Sequence, residues 1–353
     1  MDKLKVAILG ATGLVGQRLA LMLERHPWFE VTGLYSSTRH GVMYRDAVEW
    51  ILEEPIPGYI GDLVLEKARP DAMSPRDYDL VFSALPSEAA LELEPALARR
   101  GFTIVSNSSP LRLEDDIPLV IPEINPDHLE LASLQARRGW RGRVYKVPNC
   151  TTIILSITLK PLMESFGLRR VLVSSMQAIS GAGLRGLPSM RILANIIPFI
   201  EGEERKIERE TLKILGTLKN GRIEDPGFTV SASAHRVPVI EGHTISVFAE
   251  TAEKPEPGEV ARVMEEFEPR ELSTLSLPSA PARLIRVRRE NDRPQPRIDA
   301  LEGGGMTVVV GRIRRDHVMG GVKYIALGSN TIRGAAGNAV LLAELLVSRG
   351  LTQ

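Results

Sequence analysis

One thiol stands in the 353 residues, Cys150, within Val147-Pro148-Asn149-Cys150-Thr151-Thr152. A strand-like run, 142–147, precedes it, and an apolar run long enough for a helix, 153–162, follows. The thiol therefore falls in the first helical turn, where unpaired backbone N–H groups and the helix dipole favour a thiolate. A thiolate attacks carbonyl carbon, so the placement suits covalent catalysis better than an inert core position. Such a nucleophile needs a base near neutrality, which points to histidine. His26 falls at a helix end, and His40, His128 and His317 lie in polar segments; all four read as surface residues. His235 and His243 bracket a strand and turn, 236–242. His243, between Gly242 and Thr244 at a strand start, can be held rigidly yet open to a cleft; His235 is the second candidate.

These groups need a scaffold, and the N-terminal stretch supplies one. A buried-strand pattern at 5–9 runs into Gly10-Ala11-Thr12-Gly13-Leu14-Val15-Gly16, and a helical pattern follows over 17–25. Strand, glycine turn and helix form the context in which such a motif binds a dinucleotide. The glycines let backbone approach a pyrophosphate, and the helix N-terminus offers N–H donors. A second strand, 31–35, ends in Ser36-Ser37-Thr38-Arg39, where an NAD site would place an acid. Hydroxyls with a guanidinium suit a 2′-phosphate, so the cofactor is read as NADP.

Strands are expected at 79–85 and 103–106, with a helix over 88–100 between them. The loop holding Ser83, Leu85 and Pro86 leaves a strand C-terminus and should pass the cofactor. Asn107-Ser108-Ser109 followed by Arg112 makes a plausible anion site. Residues 120–125 lead through a helical linker toward Cys150. Beyond the cysteine helix the texture changes, with strands expected at 171–178, 228–234, 236–240, 243–250, 284–289 and 307–314. Helices are expected at 191–200, 203–219 and 331–349. Strands and helices no longer alternate strictly there, which predicts a mixed or antiparallel sheet. The fold class is thus α/β, a Rossmann-like parallel sheet for the dinucleotide plus an α+β catalytic and dimerisation domain with a mixed sheet. The boundaries fall at 1–150, completed by a C-terminal helix over 331–353, and at 151–330.

Bulk composition agrees. Hydrophobic residues are 43% and charged residues 25%, ordinary for a soluble globular chain, and 353 residues exceed one core. Lys plus Arg equals Asp plus Glu at 44 each, which argues against a nucleic-acid partner. A lone cysteine excludes an internal disulfide and a cysteine metal cluster, so no metal is expected. No apolar run approaches the ~20 residues of a membrane helix, and no signal peptide precedes the first strand. The location expected is cytoplasmic. A nicotinamide-binding half, a cysteine and a histidine together suggest aldehyde dehydrogenase chemistry: attack, hydride transfer, and a thioester released to water, phosphate or coenzyme A.

Taken together, several motifs carry a resemblance. They are the glycine turn, Ser106-Asn107-Ser108-Ser109 with Arg112, Pro148-Asn149-Cys150-Thr151-Thr152, and Gln177-Ala178-Ile179-Ser180-Gly181. With them go Arg236-Val237-Pro238-Val239, Gly242-His243-Thr244, and Asn330-Thr331-Ile332-Arg333-Gly334. In this order, over nearly the whole chain, the set resembles the aspartate-semialdehyde dehydrogenases, closest to their archaeal and fungal branch. The resemblance implies NADP-dependent, reversible reductive dephosphorylation of aspartyl-4-phosphate to aspartate 4-semialdehyde. That step lies on the route to lysine, threonine, methionine and isoleucine. It implies Cys150 as nucleophile, His243 as acid/base and Gln177 as the residue orienting the thioester. Arg236 would pair with the substrate carboxylate, Glu203 (taken over Glu204) with the amino group, and Lys206 and Arg112 with phosphate; Asn149 would stand beside the substrate. Ser180, Gly181 and Asn330 would flank the cofactor, and the last helix would return to the first domain. A homodimer or homotetramer is expected. Malonyl-coenzyme A reductase and N-acetyl-glutamyl-phosphate reductase are the similar alternatives; a non-catalytic NADP-binding sensor is the alternative of another class.

Overall fold

The computed structural model describes residues 2–269 and 271–352 and contains two six-stranded sheets. The first is built from β1 (Leu4–Leu9), β2 (Phe29–Ser36), β3 (Leu65–Lys67), β4 (Leu80–Ser83), β5 (Thr103–Ser106) and β6 (Arg143–Lys146). All pair in parallel, in the order β3-β2-β1-β4-β5-β6. Every residue of β4 and β5 is buried, as it must be where helices cover both faces. The order reverses direction between β1 and β4, and the crevice beyond their C-terminal ends is where a doubly wound sheet binds ligand.

The second sheet begins with β7 (Leu168–Gln177); a small hairpin, β8 (Thr217–Lys219) and β9 (Arg222–Glu224), stands apart from it. Then come β10 (Thr229–Arg236), β11 (His243–Thr251), β12 (Ile285–Val287), β13 (Val308–Asp316) and β14 (Gly321–Gly328). Their order is β10-β7-β11-β14-β13-β12, antiparallel in the middle with a parallel pair at each edge. This is the mixed sheet expected from the loss of strict alternation. Residues along β11 alternate between buried and half-buried, the mark of a sheet covered on one face. The covering element is the Cys150–Phe166 helix, buried without a break from Thr151 to Leu159. The last helix, Gly337–Ser348, packs instead on the Leu14–Leu23 helix and on β5, at the first sheet.

Several local expectations are corrected. Of the 191–200 stretch only residues 191–192 are helical, at the end of the short Ser189–Ile192 helix, and 237–240 forms bends after β10 rather than a strand. The helix expected over 203–219 ends at Leu215, where Gly216 leads into β8. β3, β14 and the Pro257–Glu265 helix were not foreseen. Two histidines read as surface residues are buried: His26 bonds Glu344 at 2.8 Å, and His128 bonds Asn125 at 2.9 Å and the Gly216 carbonyl at 3.1 Å. Among the described residues no helix is long and apolar enough to cross a membrane.

Candidate active site

The glycine turn is shaped by contact with the next loop. Gly10 has φ +75°, and a β-carbon there would stand 2.6 Å from the Ala84 carbonyl oxygen. At Gly16 a β-carbon would meet the Gly10 carbonyl at 2.3 Å, so this glycine serves helix packing, while Gly10, Thr12 and Gly13 face the crevice. The helix starts at Leu14 with no side chain capping it, which leaves first-turn N–H groups for an anion. Leu14, Val15, Leu85 and Pro86 add apolar walls, and the Ser36 and Ser37 hydroxyls stand at the end of β2. Backbone donors, hydroxyls and a Cβ-free approach are what a dinucleotide phosphate requires, so the residues present fit the expected cofactor.

Two residues expected beside the cofactor are engaged elsewhere. The Arg39 side chain is exposed, does not line the crevice, and donates to the Ala47 carbonyl at 2.5 Å. Ser83 donates to Glu94 at 2.8 Å, away from the crevice. Ser106 and Lys146 reach the same carboxylate at 2.6 and 2.5 Å, tying together the ends of β4, β5 and β6. Burial pushes the Lys146 ammonium down, and the Glu94 charge opposes that.

The crevice continues, as one cleft of about 750 Å³, to Cys150. Cys150 is the first residue of its helix. Asn149 caps it, its side-chain oxygen accepting from the N–H groups of Thr151 and Thr152 at 3.0 and 3.1 Å. The Ile332–Ala336 π-turn presses against this start: a β-carbon on Gly334 would be 2.5 Å from that of Cys150. Arg333 anchors the turn from within the core, bidentate to Glu123 at 2.6 and 2.8 Å and bonded to Asn338 at 2.9 Å. The expected thiolate is not the resting form. Burial pushes the Cys150 thiol up to about 12, and Glu203 adds to this. The Thr151 N–H, Arg112 and Arg236 pull it down without prevailing.

One stripe of the Glu203–Leu215 helix builds the far wall. Glu203 accepts from the amides of Asn149 at 2.8 Å and Gln177 at 2.9 Å, with Lys206 3.8 Å away. Glu204 turns outward to the Ala234 N–H, leaving Glu203 as the acid in the cleft. Two turns on from Glu203, buried Glu210 holds Arg112 at 3.1 Å and accepts from the Asn149 N–H at 2.6 Å. Lys213 then donates to the carbonyls of Arg112, Glu114 and Ile117 at 2.9, 2.6 and 2.8 Å. Spacing of three and four residues keeps all four charges on one helix face. Glu210 and Lys213 were not read as site residues; their spacing from Glu203 and Lys206 is the signal that could have found them.

Arg236 ends β10, donates to the Ala178 carbonyl at 2.7 Å and lines the cleft. His243 begins β11 and is fully buried beneath it. Its Nδ1 accepts from the Ala178 N–H at 3.1 Å, so the neutral ring carries its proton on Nε2, which has no partner. That nitrogen faces Gly181: a β-carbon there would stand 3.1 Å from it and 2.5 Å from an Arg236 nitrogen. Burial, with the Arg236 charge, pushes the imidazole down to about 3. His235, the second candidate, bonds the Ser175 carbonyl at 3.3 Å instead. Ser180 and Asn330 line the cleft and bond each other at 2.8 Å. The cleft brings the thiol together with three cations, Arg112, Lys206 and Arg236, next to a dinucleotide crevice, while the His243 ring N–H lies behind Gly181 and does not itself line the cleft.

Comparison with known proteins bears on this geometry. Residues 5–132 match the model of the semialdehyde dehydrogenase NAD binding domain, and residues 159–333 that of the semialdehyde dehydrogenase dimerisation domain. The aspartate-semialdehyde dehydrogenase of Archaeoglobus fulgidus is 49% identical over 97% of both chains. The crystal structure of aspartate-semialdehyde dehydrogenase with NADP from Candida albicans superposes with a TM-score of 0.89 at 38% identity, covering 99% of this chain and 100% of that one. Aspartate-semialdehyde dehydrogenase II of Vibrio cholerae, solved in complex with ASA, gives a TM-score of 0.78 at 28% identity, covering 99% of each.

Proposed function

The chain belongs to the aspartate-semialdehyde dehydrogenase family, and from that premise we propose how its residues carry out the reaction. It is an NADP-dependent oxidoreductase of amino-acid biosynthesis that interconverts aspartyl-4-phosphate and aspartate 4-semialdehyde. The observation that carries the residue assignment is the convergence on Cys150 of Arg112, Arg236 and Glu203; the unpartnered Nε2–H of His243 lies behind Gly181, which lines the same cleft.

In the reductive direction the Cys150 thiol, neutral at rest, passes its proton to the departing phosphate as its sulfur attacks the acyl carbon. A carbon–sulfur bond forms, the carbon–oxygen bond to phosphate breaks, and inorganic phosphate leaves toward Arg112 and Lys206. When bound in the crevice lined by Gly10, Thr12 and Gly13, NADPH would supply the hydride that reduces the thioester carbon. Collapse of the resulting oxyanion breaks the carbon–sulfur bond, releasing aldehyde and a thiolate, which takes a proton from solvent to restore the resting thiol. At each tetrahedral stage the oxyanion accepts from His243 Nε2–H, a donor positioned before charge develops; with Nδ1 taken by the Ala178 N–H, the ring serves as a hydrogen-bond donor in place of the acid/base expected from the resemblance. Gln177, fixed on Glu203, orients the acyl group, and the planar Arg236 fork suits the substrate carboxylate. Glu203 supplies the negative charge that an α-ammonium requires. An ammonium and a phosphate to hold favour this substrate over malonyl-coenzyme A, and a complete thiol site is superfluous in a sensor.

We take 1–150 with 331–353 as the NADP half and 151–330 as the catalytic half. The open face of the second sheet and exposed Met190 (91%), Phe199 (68%) and Ile240 (81%) suit a homodimer or homotetramer. A step on a phosphorylated amino acid suits the cytoplasm. The deciding assay is NADPH formation from aspartate semialdehyde with and without phosphate. Strict phosphate dependence is expected; phosphate-independent turnover or dependence on coenzyme A would refute the assignment.

A further inference from the structure

Glu241 lies two residues before His243, and no role has so far been given to it. Four donors converge on its carboxylate. Ser329 Oγ, Thr331 N and Thr331 Oγ1 reach Oε1 at 2.7, 3.2 and 2.9 Å, and Ser180 Oγ reaches Oε2 at 3.2 Å. The donors come from two loops, one leaving β7 and one leaving β14, while Glu241 itself sits on the approach to β11. A second set of bonds runs parallel: Gly242 N–H donates to Asn330 Oδ1 at 2.9 Å, and Asn330 Nδ2 donates to Ser180 Oγ at 2.8 Å. The β7 loop is also laced to this segment by backbone, Ile179 N–H to the Val239 carbonyl at 2.7 Å and Ser180 N–H to that of Ile240 at 3.2 Å.

That loop determines which nitrogen of His243 carries the proton, because the Ala178 N–H occupies Nδ1. If the loop slides away, Nδ1 gains room for a proton and Nε2 can present a lone pair in place of a donor. We infer that Glu241 is a positioning residue: by clasping Ser180 and the Ser329–Thr331 turn it keeps the Ala178 N–H on Nδ1, and so holds His243 as the Nε2–H tautomer facing the cleft. The inference rests on the reaction proposed above, in which that N–H meets the oxyanion. It explains why a carboxylate is required at this position. An amide of the same shape presents one acceptor and one donor where four donors meet.

The test is Glu241→Gln in the full-length protein. We expect kcat for NADPH formation from aspartate semialdehyde and phosphate to fall at least ~10-fold, from the loss of a preorganised donor. The Cys150 alkylation rate and the unfolding midpoint should stay near those of the parent. In 15N-histidine spectra, with His243 assigned by comparison with His243→Asn, the parent should show the Nε2–H tautomer and Glu241→Gln a mixture. Ser180→Ala removes the Ser180 strap on Glu241 together with the bond from Asn330, should shift the same signals, and stands in if Glu241→Gln does not fold. Combined, the two changes should cost less than the product of the separate losses, since they break one clasp. A pure Nε2–H signal with parental kcat in the variants overturns the inference, as does fully multiplicative loss. A parent that forms no NADPH refutes the reaction instead, and the tautomer signals still decide the role of Glu241.

Discussion

Gly334 and Cys150 are packed so closely that a β-carbon on the glycine would lie 2.5 Å from that of the cysteine and 3.0 Å from its Cα. Neither backbone can retreat easily, since the turn is anchored by buried Arg333 and the helix start is capped by Asn149. Gly334→Ala must therefore displace the thiol. A shift of about 1 Å at a reacting atom costs on the order of 100-fold in rate, and kcat for NADPH formation should fall by that much. Parental kcat in Gly334→Ala would show that the contact does not locate the sulfur.

The thiol itself should titrate late. With its pKa pushed up to about 12 in the free protein, Cys150 is neutral across the physiological range, so its rate of alkylation by iodoacetamide should still be climbing at pH 10. Removing the Glu203 charge removes one of the causes that raise it. In Glu203→Gln the alkylation profile should move to lower pH even as turnover falls. A profile moving the other way would contradict the electrostatics described for the cleft.

Arg236→Lys replaces a planar fork with a point charge and loses the fixed bond to the Ala178 carbonyl. Substrate use should suffer most, with kcat/KM for the semialdehyde down roughly 10- to 100-fold, equivalent to about 1.4–2.8 kcal/mol. Steady-state kinetics indistinguishable from the parent would remove Arg236 from the carboxylate site.

Arg39→Ala addresses the cofactor. The side chain rests on the Ala47 carbonyl beside Ser36, Ser37 and Thr38, close enough in sequence to swing onto a 2′-phosphate. Preference for NADP over NAD, measured as the ratio of kcat/KM values, should erode by roughly 10-fold. Unchanged discrimination would assign the 2′-phosphate to the hydroxyls alone.

Lys213 gives a pH signature of stability. Burial pushes its ammonium from 10.5 down to about 8, against the pull of nearby carboxylates. Below pH 8 both folded and unfolded chains hold the proton, and the cost of burying the charge is felt in full. Between pH 8 and 10.5 the unfolded chain holds more protons, so this residue's contribution to stability rises with pH. Relative to Lys213→Met, the parent should gain on the order of 2 kcal/mol across that window. Equal slopes of unfolding free energy against pH in the two proteins would rule this out.

The sheets were legible where burial leaves a plain mark. The apolar runs of β1, β4 and β5 and the glycine turn after β1 carry their meaning in adjacent residues, and so does the Pro148-Asn149-Cys150 turn. What stayed hidden depends on distant partners. His26 falls at a helix end, where a ring is ordinarily exposed, yet its partner Glu344 is 318 residues away. Glu210 and Glu241 resemble solvated acids until Arg112, Asn149, Ser180 and Thr331 are brought against them. The 191–200 stretch has helical spacing, but Pro198 interrupts it and its large apolar side chains face solvent, so no core stabilises a helix. For Cys150 the helix dipole is visible in sequence, whereas the packing that desolvates the thiol and the nearby Glu203 charge, which push its pKa up, are not.

The stripe Glu203, Lys206, Glu210, Lys213 has a consequence for altering this protein. A single helical rod grips the amide beside Cys150, the Arg112 side chain and the loop bearing that arginine. Exchanging the acyl acceptor by redesigning Lys206 alone leaves the rod seated for the old one. Retuning the acceptor means resetting the roll of the whole helix, and with it the seat of the sulfur.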